Sequence, residues 1–262
     1  MNLNNLVKEV IEISKKAGIE IIKIYNTQNF EVQYKSDDSP LTLADQTSNN
    51  IIISELAKLS PKFPVISEES INEAYPERKD YEYFWLVDPL DGTKEFVSRN
   101  GDFAVNIALV HRNSPILGVV YVPCTEGVFY AVKNEGAFSI LNGVTKKLEC
   151  TEFKTTDTHL RIPVSRSYYS AATKKLIEDN FKEPILIERG SALKFMNIAE
   201  GTAEIYPRIG TTMEWDTAAP QIIVEEAGGL ILHLETRQPL VYNKEDLRNP
   251  DFVAMGKLQS NE

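Results

Sequence analysis

The 262-residue chain predicts an α+β N-terminal domain, residues 1–150, followed by an α/β C-terminal domain, residues 151–262. Three observations carry that expectation. An amphipathic stripe of helical period opens the chain, short β-prone runs crowd together from Phe63 to Ser139, and strand-like and helical segments alternate beyond Asp157. The length is comfortable for two domains, each burying its own core.

In chain order, Leu3, Leu6, Val7, Val10, Ile11, Ser14, Ala17, Gly18, Ile21 and Tyr25 recur on one helix face and predict a first helix packed against the core. Turn formers from Lys35 to Pro40 predict a loop, because Pro40 disfavours helical backbone at Ser39. Thr42 reads as the N-cap of a second helix ending about Leu59, with Asp45 at the acidic position of a capping box. The runs P-V-I-S, F-W-L-V-D, F-A-V-N-I-A-L-V, I-L-G-V-V-Y-V and G-V-F-Y-A-V read as neighbouring strands. Leu141 to Asp157 is polar and marks the expected domain boundary. Beyond it come L-R-I-P-V-S, a helix near Ala171–Asn180, P-I-L-I, a helix near Ala192–Ala199, A-E-I-Y, a helix near Thr217–Ala227, and G-L-I-L-H-L.

Composition narrows the function. Hydrophobic residues at 42% and charged residues at 25% are the balance of a globular protein that needs no cross-links. Cys124 and Cys150 lack C-x-x-C spacing, so they suit neither a disulfide framework nor a zinc site and read as reduced thiols of a cytoplasmic protein. No basic segment followed by an apolar run opens the chain and no uncharged stretch approaches ~18 residues, so neither a secretory signal nor an integral membrane segment is expected. A net charge of −10 argues against a nucleic acid polymer as partner. An anionic small molecule remains open if metal ions and a few cations reverse the field inside a cleft. His111, His159 and His233 are scattered without a serine elbow, which argues against a catalytic triad.

The densest chemistry lies in W-L-V-D-P-L-D-G-T-K-E-F, Trp85 to Phe96. Asp88 ends a strand, Pro89 stops the ladder and Asp91-Gly92 turns the chain. Two carboxylates around a tight turn can converge, and the Leu90 carbonyl adds a third hard oxygen of the kind Mg²⁺ takes. Gly92 and Thr93 then open a short helix whose free N–H groups would cradle a phosphate. P-V-I-S-E-E-S ends another apolar run in Glu68 and Glu69. In M-E-W-D-T-A-A-P, Asp216 is the expected N-cap of a helix ending at Gly228-Gly229, with Pro220 in its first turn. Taken singly, these fragments equally suit a surface turn, a solvated strand end and a helix cap.

Together, S-E-E-S, W-L-V-D-P-L-D-G-T, and W-D-T-A-A with E-A-G-G resemble the inositol monophosphatase superfamily of metal-dependent, lithium-sensitive phosphatases over nearly the whole chain. Within it, D-G-T-K-E-F, R-N-G-D-F-A-V-N-I-A-L-V, G-S-A-L-K-F and A-E-I-Y-P-R resemble the bacterial CysQ group of 3′(2′),5′-bisphosphate nucleotidases, which convert 3′-phosphoadenosine 5′-phosphate to AMP. The resemblance implies a layered α/β/α/β/α sandwich of the inositol monophosphatase / fructose-1,6-bisphosphatase type. It implies two or three Mg²⁺ ions held by Glu68, Asp88, the Leu90 carbonyl, Asp91 and Asp216. Asp45 and Thr93 would activate water, with Glu68 and Glu69 close by. Asp91, Gly92, Thr93 and Lys94 would hold the scissile phosphate beside Asp216, while Gly190, Ser191, Ala192, Lys194 and Arg208 would meet the nucleotide and its second phosphate. The residues 1–150 would then carry the metals and 151–262 the substrate.

One position departs: S-R-S, commonly followed by His in that group, is followed here by Tyr168, which bears on the choice of bisphosphate. Inositol 1-phosphate or another sugar phosphate is the alternative substrate. A haloacid-dehalogenase reading fails on spacing, since D-x-x-D does not place both acids on one face of a strand as D-x-D does. A non-catalytic metal- and phosphate-binding regulator is the rival of another class, and the retention of Asp45 and Thr93 beside the ligands argues against it. A monomer or homodimer in the cytoplasm is expected, with room left for peripheral association with the inner membrane.

Overall fold

The predicted opening stripe is helix α1 (Leu3–Tyr25), capped by Asn2, whose side chain accepts the Asn5 N–H at 3.1 Å, and buried along Leu6, Val10, Ala17 and Ile21. The computed structural model describes residues 1–27, 32–34, 40–70 and 72–259, so the expected loop at 35–39 lies outside the described residues. A ribbon of β1 (Val32–Tyr34) and β2 (Pro40–Thr42) leads into α2 (Leu43–Leu56). Thr42 caps α2, and the Asp45 carboxylate accepts the Thr42 N–H at 2.7 Å, the reciprocal bond of a capping box. The helix ends one turn earlier than Leu59, because Ala57 already closes it.

A seven-stranded sheet follows, with α3 (Tyr75–Arg78) and α4 (Thr93–Val97) in its connections. Its strands are β3 (Val65–Ser67), β4 (Tyr83–Asp91), β5 (Ala104–His111), β6 (Ser114–Val122), β7 (Gly127–Val132), β8 (Gly136–Leu141) and β9 (Val144–Lys147), in that spatial order. Only β3 and β4 run parallel, with Ser67 opposite Val87. The polar stretch after Leu141 carries β9 and then β10 (Glu152–Phe153). The expected halt at Pro89 is a bulge instead: the β4–β5 pairing breaks between Asp88 and Asp91 and resumes at Asp91 opposite Ala104. Proline removes one donor from the ladder, and the strand bends without ending.

Beyond residue 157 the predicted alternation holds. In order come β11 (Arg161–Ser165), α5 (Ala171–Asn180), β12 (Ile185–Arg189), α6 (Leu193–Ala199), β13 (Ile205–Arg208), α7 (Glu214–Glu226) and β14 (Leu230–His233), then β15 (Phe252–Met255) and β16 (Lys257–Leu258). β11 and β12 pair in parallel, β13-β15-β14 form an antiparallel sheet, and β16 pairs with β10. Helix α7 starts at Glu214, not near Thr217, and Met213 rather than Asp216 is its N-cap. Asp216 sits one turn in, accepting the Met213 N–H at 2.7 Å. Pro220 therefore lies in the second turn, in the helix interior, where it is buried.

These elements stack as the layers α1–α2, large sheet, α6–α7, small sheets and α5, the layered sandwich expected. Strand alternation assigns the faces. Trp85, Val87, Ile107 and Val119 meet α1 and α2, whereas Phe84, Leu86, Ala108 and Val120 meet α6 and α7. Gly118 lets α7 settle on β6, since a Cβ there would stand 2.7 Å from the Ala219 carbonyl oxygen. A third core of Ile162, Val164, Ile177 and Val253 lies under α5. Among the described residues no helix is long and apolar enough to cross a membrane.

Candidate active site

The parity that faces Phe84 and Leu86 towards α7 faces Asp88 the same way, towards the first turn of that helix. The parallel register brings Glu68, one residue past β3, alongside it. Asp216 projects from α7 across the gap. Carboxylate oxygens of Glu68, Asp88 and Asp216 all lie within 4.8 Å of one another. They line a cleft of about 870 Å³ between the large sheet and the second half of the chain, along with Leu90, Asp91, Thr93, Lys94, Lys194 and Arg208.

Such crowding is costly for anions out of water. Burial, then Glu68, Asp91 and Asp216, raises the Asp88 carboxyl well above its usual range. Asp216 is pushed up to about 8 by burial and then by Asp91 and Glu68. Asp91 is also raised by burial, with Lys194, Asn106 and Ala192 opposing the shift. Buried, mutually repelling carboxylates are relieved by protonation or by a cation. An all-oxygen donor set of this kind suits a hard ion such as Mg²⁺, so the residues fit the expected metal.

Asp91 sits on the bulge, and its Oδ2 accepts Asn106 Nδ2 at 3.2 Å and the Ala192 N–H at 2.6 Å. Asp88 Oδ1 accepts the Leu90 N–H at 3.0 Å, which turns the intervening peptides. Gly92, at φ +93, caps α4, a backbone state that favours glycine. Thr93 Oγ1 donates to Asp45 Oδ1 at 2.9 Å and lies 3.4 Å from the Leu90 carbonyl oxygen. Asp45 stands behind it, 1% exposed, its carboxyl raised by burial despite hydrogen bonds from Thr42 and Thr93. Glu69 is half-buried and does not line the cleft, and its backbone carbonyl accepts Asn49 Nδ2 at 3.3 Å.

Across the cleft, Lys194 is buried, donates to the Ser191 carbonyl at 2.7 Å, and has its ammonium pKa lowered to about 8 by burial. Arg208 reaches the Tyr168 and Thr211 carbonyls at 3.5 and 3.3 Å. Its Nε and the Ser191 hydroxyl are buried without a hydrogen-bond partner among the described residues. Gly190 and Ala192 do not line the cleft, and their N–H groups donate to Asp102 and Asp91. Tyr168 lines the rim, with Lys94 Nζ 4.0 Å and Arg208 Cζ 5.9 Å from its ring centre, so the departing position lies between two cations.

Glu95, Asn106, Ser167 and Tyr206 were not singled out from the sequence. Glu95 lines the cleft, yet it is 4% exposed and accepts Ser167 Oγ at 2.5 Å. Asn106, a polar residue inside the apolar run A-V-N-I-A-L-V, was the one legible signal, because a buried amide needs a partner.

Comparison with known proteins identifies the family and the fold. Residues 2–259 match the Inositol monophosphatase family. The chain is 36% identical to the 3′(2′),5′-bisphosphate nucleotidase CysQ of Aggregatibacter actinomycetemcomitans, covering 95% of this chain and 92% of that one. It is 38% identical to the protein of that name in Escherichia coli strain K12, over 94% and 98%. The crystal structure of CysQ from Bacteroides thetaiotaomicron, titled a bacterial member of the inositol monophosphatase family, superposes with a TM-score of 0.85 at 36% identity and covers 97% of both chains. With the family matched almost end to end and its fold shared, this chain belongs to the inositol monophosphatase family.

Proposed function

We propose that this chain is a Mg²⁺-dependent 3′(2′),5′-bisphosphate nucleotidase, hydrolysing 3′-phosphoadenosine 5′-phosphate to AMP and phosphate in the cytoplasm. The observation that carries the reading is the opposition, in one cleft, of three converging carboxylates (Glu68, Asp88 and Asp216) to two buried or half-buried cations, Lys194 and Arg208. A substrate with two phosphates needs both: one group on the acidic side with metal, the other on the basic side. The relatives named CysQ support the choice of substrate.

In this reading Glu68, Asp88, Asp91, Asp216 and the Leu90 carbonyl hold two or three Mg²⁺ ions. Bound there, the ions supply Lewis-acid charge that acidifies water and neutralises the phosphate oxygens. The residues of the chain do the rest. The Thr93 hydroxyl donates to Asp45, so its lone pairs are left to orient a water, and the proton released passes through Thr93 to Asp45. Water oxygen bonds to phosphorus as the P–O3′ bond breaks, and the leaving oxygen takes a proton from solvent. The Gly92 and Thr93 N–H groups, with Lys94, steady the scissile phosphate. Ser191, Lys194 and Arg208 hold the nucleotide's other phosphate. Residues 1–150 act as the metal-binding domain and 151–262 as the substrate-binding domain, with Asp216 as the second half's ligand. The cleft is lined within one chain, which suits a monomer or a homodimer of independent sites.

The test is phosphate release from 3′-phosphoadenosine 5′-phosphate and inositol 1-phosphate side by side with Mg²⁺, each with and without Li⁺. The expected result is a strong preference for the nucleotide, suppressed by lithium. Preference for the inositol ester would overturn the substrate assignment and direct attention to Tyr168.

A further inference from the structure

Two carboxylates, half-buried Asp91 and buried Asp102, grip the two ends of a single three-residue bend, Gly190-Ser191-Ala192, between β12 and α6. The Ala192 N–H donates to Asp91 at 2.6 Å, and the Gly190 N–H donates to Asp102 Oδ2 at 3.0 Å. Asp91 belongs to the candidate metal site. Asp102 does not: it lies in the loop between α4 and β5, 8% exposed and away from the cleft lining.

Asp102 is itself fixed. Its N–H donates to Asn100 Oδ1 at 3.0 Å, and Arg166 Nη2 and Arg189 Nη1 stand 3.1 and 3.8 Å from its carboxylate oxygens. Those guanidiniums come from the ends of β11 and β12, so one carboxylate ties the second half of the chain to the loop that follows α4 in the first. The packing is equally close. A Cβ on Gly190 would lie 2.6 Å from the Asp102 carbonyl oxygen, and one on Gly92 would lie 3.2 Å from the same atom. Backbone leaves no room for a side chain at Gly190, and at Gly92 the fit is tight and the φ of +93 favours glycine. Between its pinned ends Ser191 is held at φ +47, a left-handed state that a serine keeps only where its surroundings impose it. That conformation puts the buried Ser191 hydroxyl against the cleft and its carbonyl on Lys194.

We propose that Asp102 is a positioning residue, an anchor that holds the 190–192 bend so that Ser191 and Lys194 present their polar groups to the substrate. The identity of the substrate group they meet rests on the nucleotidase reading; the anchoring does not. Asp102→Ala removes the acceptor, whereas Asp102→Asn keeps an oxygen for the Gly190 N–H while removing the charge.

The experiment measures amide hydrogen exchange of the segment 188–193 and Michaelis parameters on 3′-phosphoadenosine 5′-phosphate for wild type, Asp102→Ala and Asp102→Asn with Mg²⁺. Asp102→Ala is expected to speed exchange in that segment by about tenfold or more while β4–β6 stay protected. Its KM should rise by about tenfold with kcat within about threefold, and Asp102→Asn should recover most of both effects. Unchanged exchange at 188–193 overturns the anchor, whatever the substrate proves to be. Faster exchange throughout the chain, or a fall in kcat with KM unmoved, makes Asp102 a general structural residue and also overturns it. Absence of nucleotide turnover in wild type defeats the nucleotidase reading, while the exchange measurement still decides on the anchor.

Discussion

At the scale of single residues, the site divides into side chains that hold charge and side chains that hold those side chains. Asp91 shows both roles, with one oxygen given to Asn106 and Ala192. Asp91→Asn is expected to abolish turnover and to lack the rise in melting temperature expected of the wild type when Mg²⁺ is added. Asp45 is different: it touches Thr42 and Thr93 and lies outside the three-carboxylate cluster. Asp45→Asn should lower kcat by about 10²–10⁴-fold while the Mg²⁺-induced thermal shift persists. A variant with wild-type kcat would remove Asp45 from proton transfer. The carboxylates were legible because a buried strand that ends in acids is expensive without a cation. Glu69 follows Glu68 in the turn beyond β3 and does not line the cleft. Glu95 and Asp102 were illegible, since their partners, Ser167 and Gly190, are distant in sequence.

Among elements, periodic helices and apolar strands were read close to their observed limits, α1 and α5 above all, because burial alone dictates their patterns. The differences fall where a particular hydrogen bond, rather than the apolar pattern, sets the boundary. The sequence places the N-cap of α7 at Asp216, yet the cap is Met213, three residues earlier, and Asp216 bonds back to it. Pro89 was taken for a strand end, yet β5 keeps pairing past it through a bulge. Element contacts also predict a packing limit. Gly118 on β6 is closed in by Ala219 and Ile222 of α7, so Gly118→Ala should destabilise the protein by about 1–3 kcal/mol. Urea unfolding of the metal-free protein checks this, and an unchanged midpoint would show that α7 can shift without loss.

On the scale of the whole molecule, the layered sandwich brings acids from both halves of the chain to one cleft, so metal binding and stability are linked. Asp88 and Asp91 titrate above their usual range in the folded state, and Asp216 at about 8. The folded apo protein thus binds more protons than the unfolded chain between the ordinary carboxyl range and about pH 8. Stability from this source is complete at acid pH and is lost as pH rises through the folded values. Without metal, the melting temperature should fall between about pH 5 and about pH 8, and Mg²⁺ should reverse the fall at the upper end, releasing protons as it binds. A rising apo profile over that interval would contradict the assignment of these carboxyls. The fold class and the acids of the candidate metal site lie in runs readable along the chain; the meeting of residue 88 with residue 216, and the cations opposite them, depend on how the layers stack. The most direct measurement strips the protein with EDTA and then titrates Mg²⁺, following phosphate release from 3′-phosphoadenosine 5′-phosphate and the melting temperature on the same sample. The account predicts no release without metal and a parallel rise of both signals over one range of Mg²⁺ concentration; release that persists in EDTA, or activity that returns with the melting temperature unmoved, would contradict it.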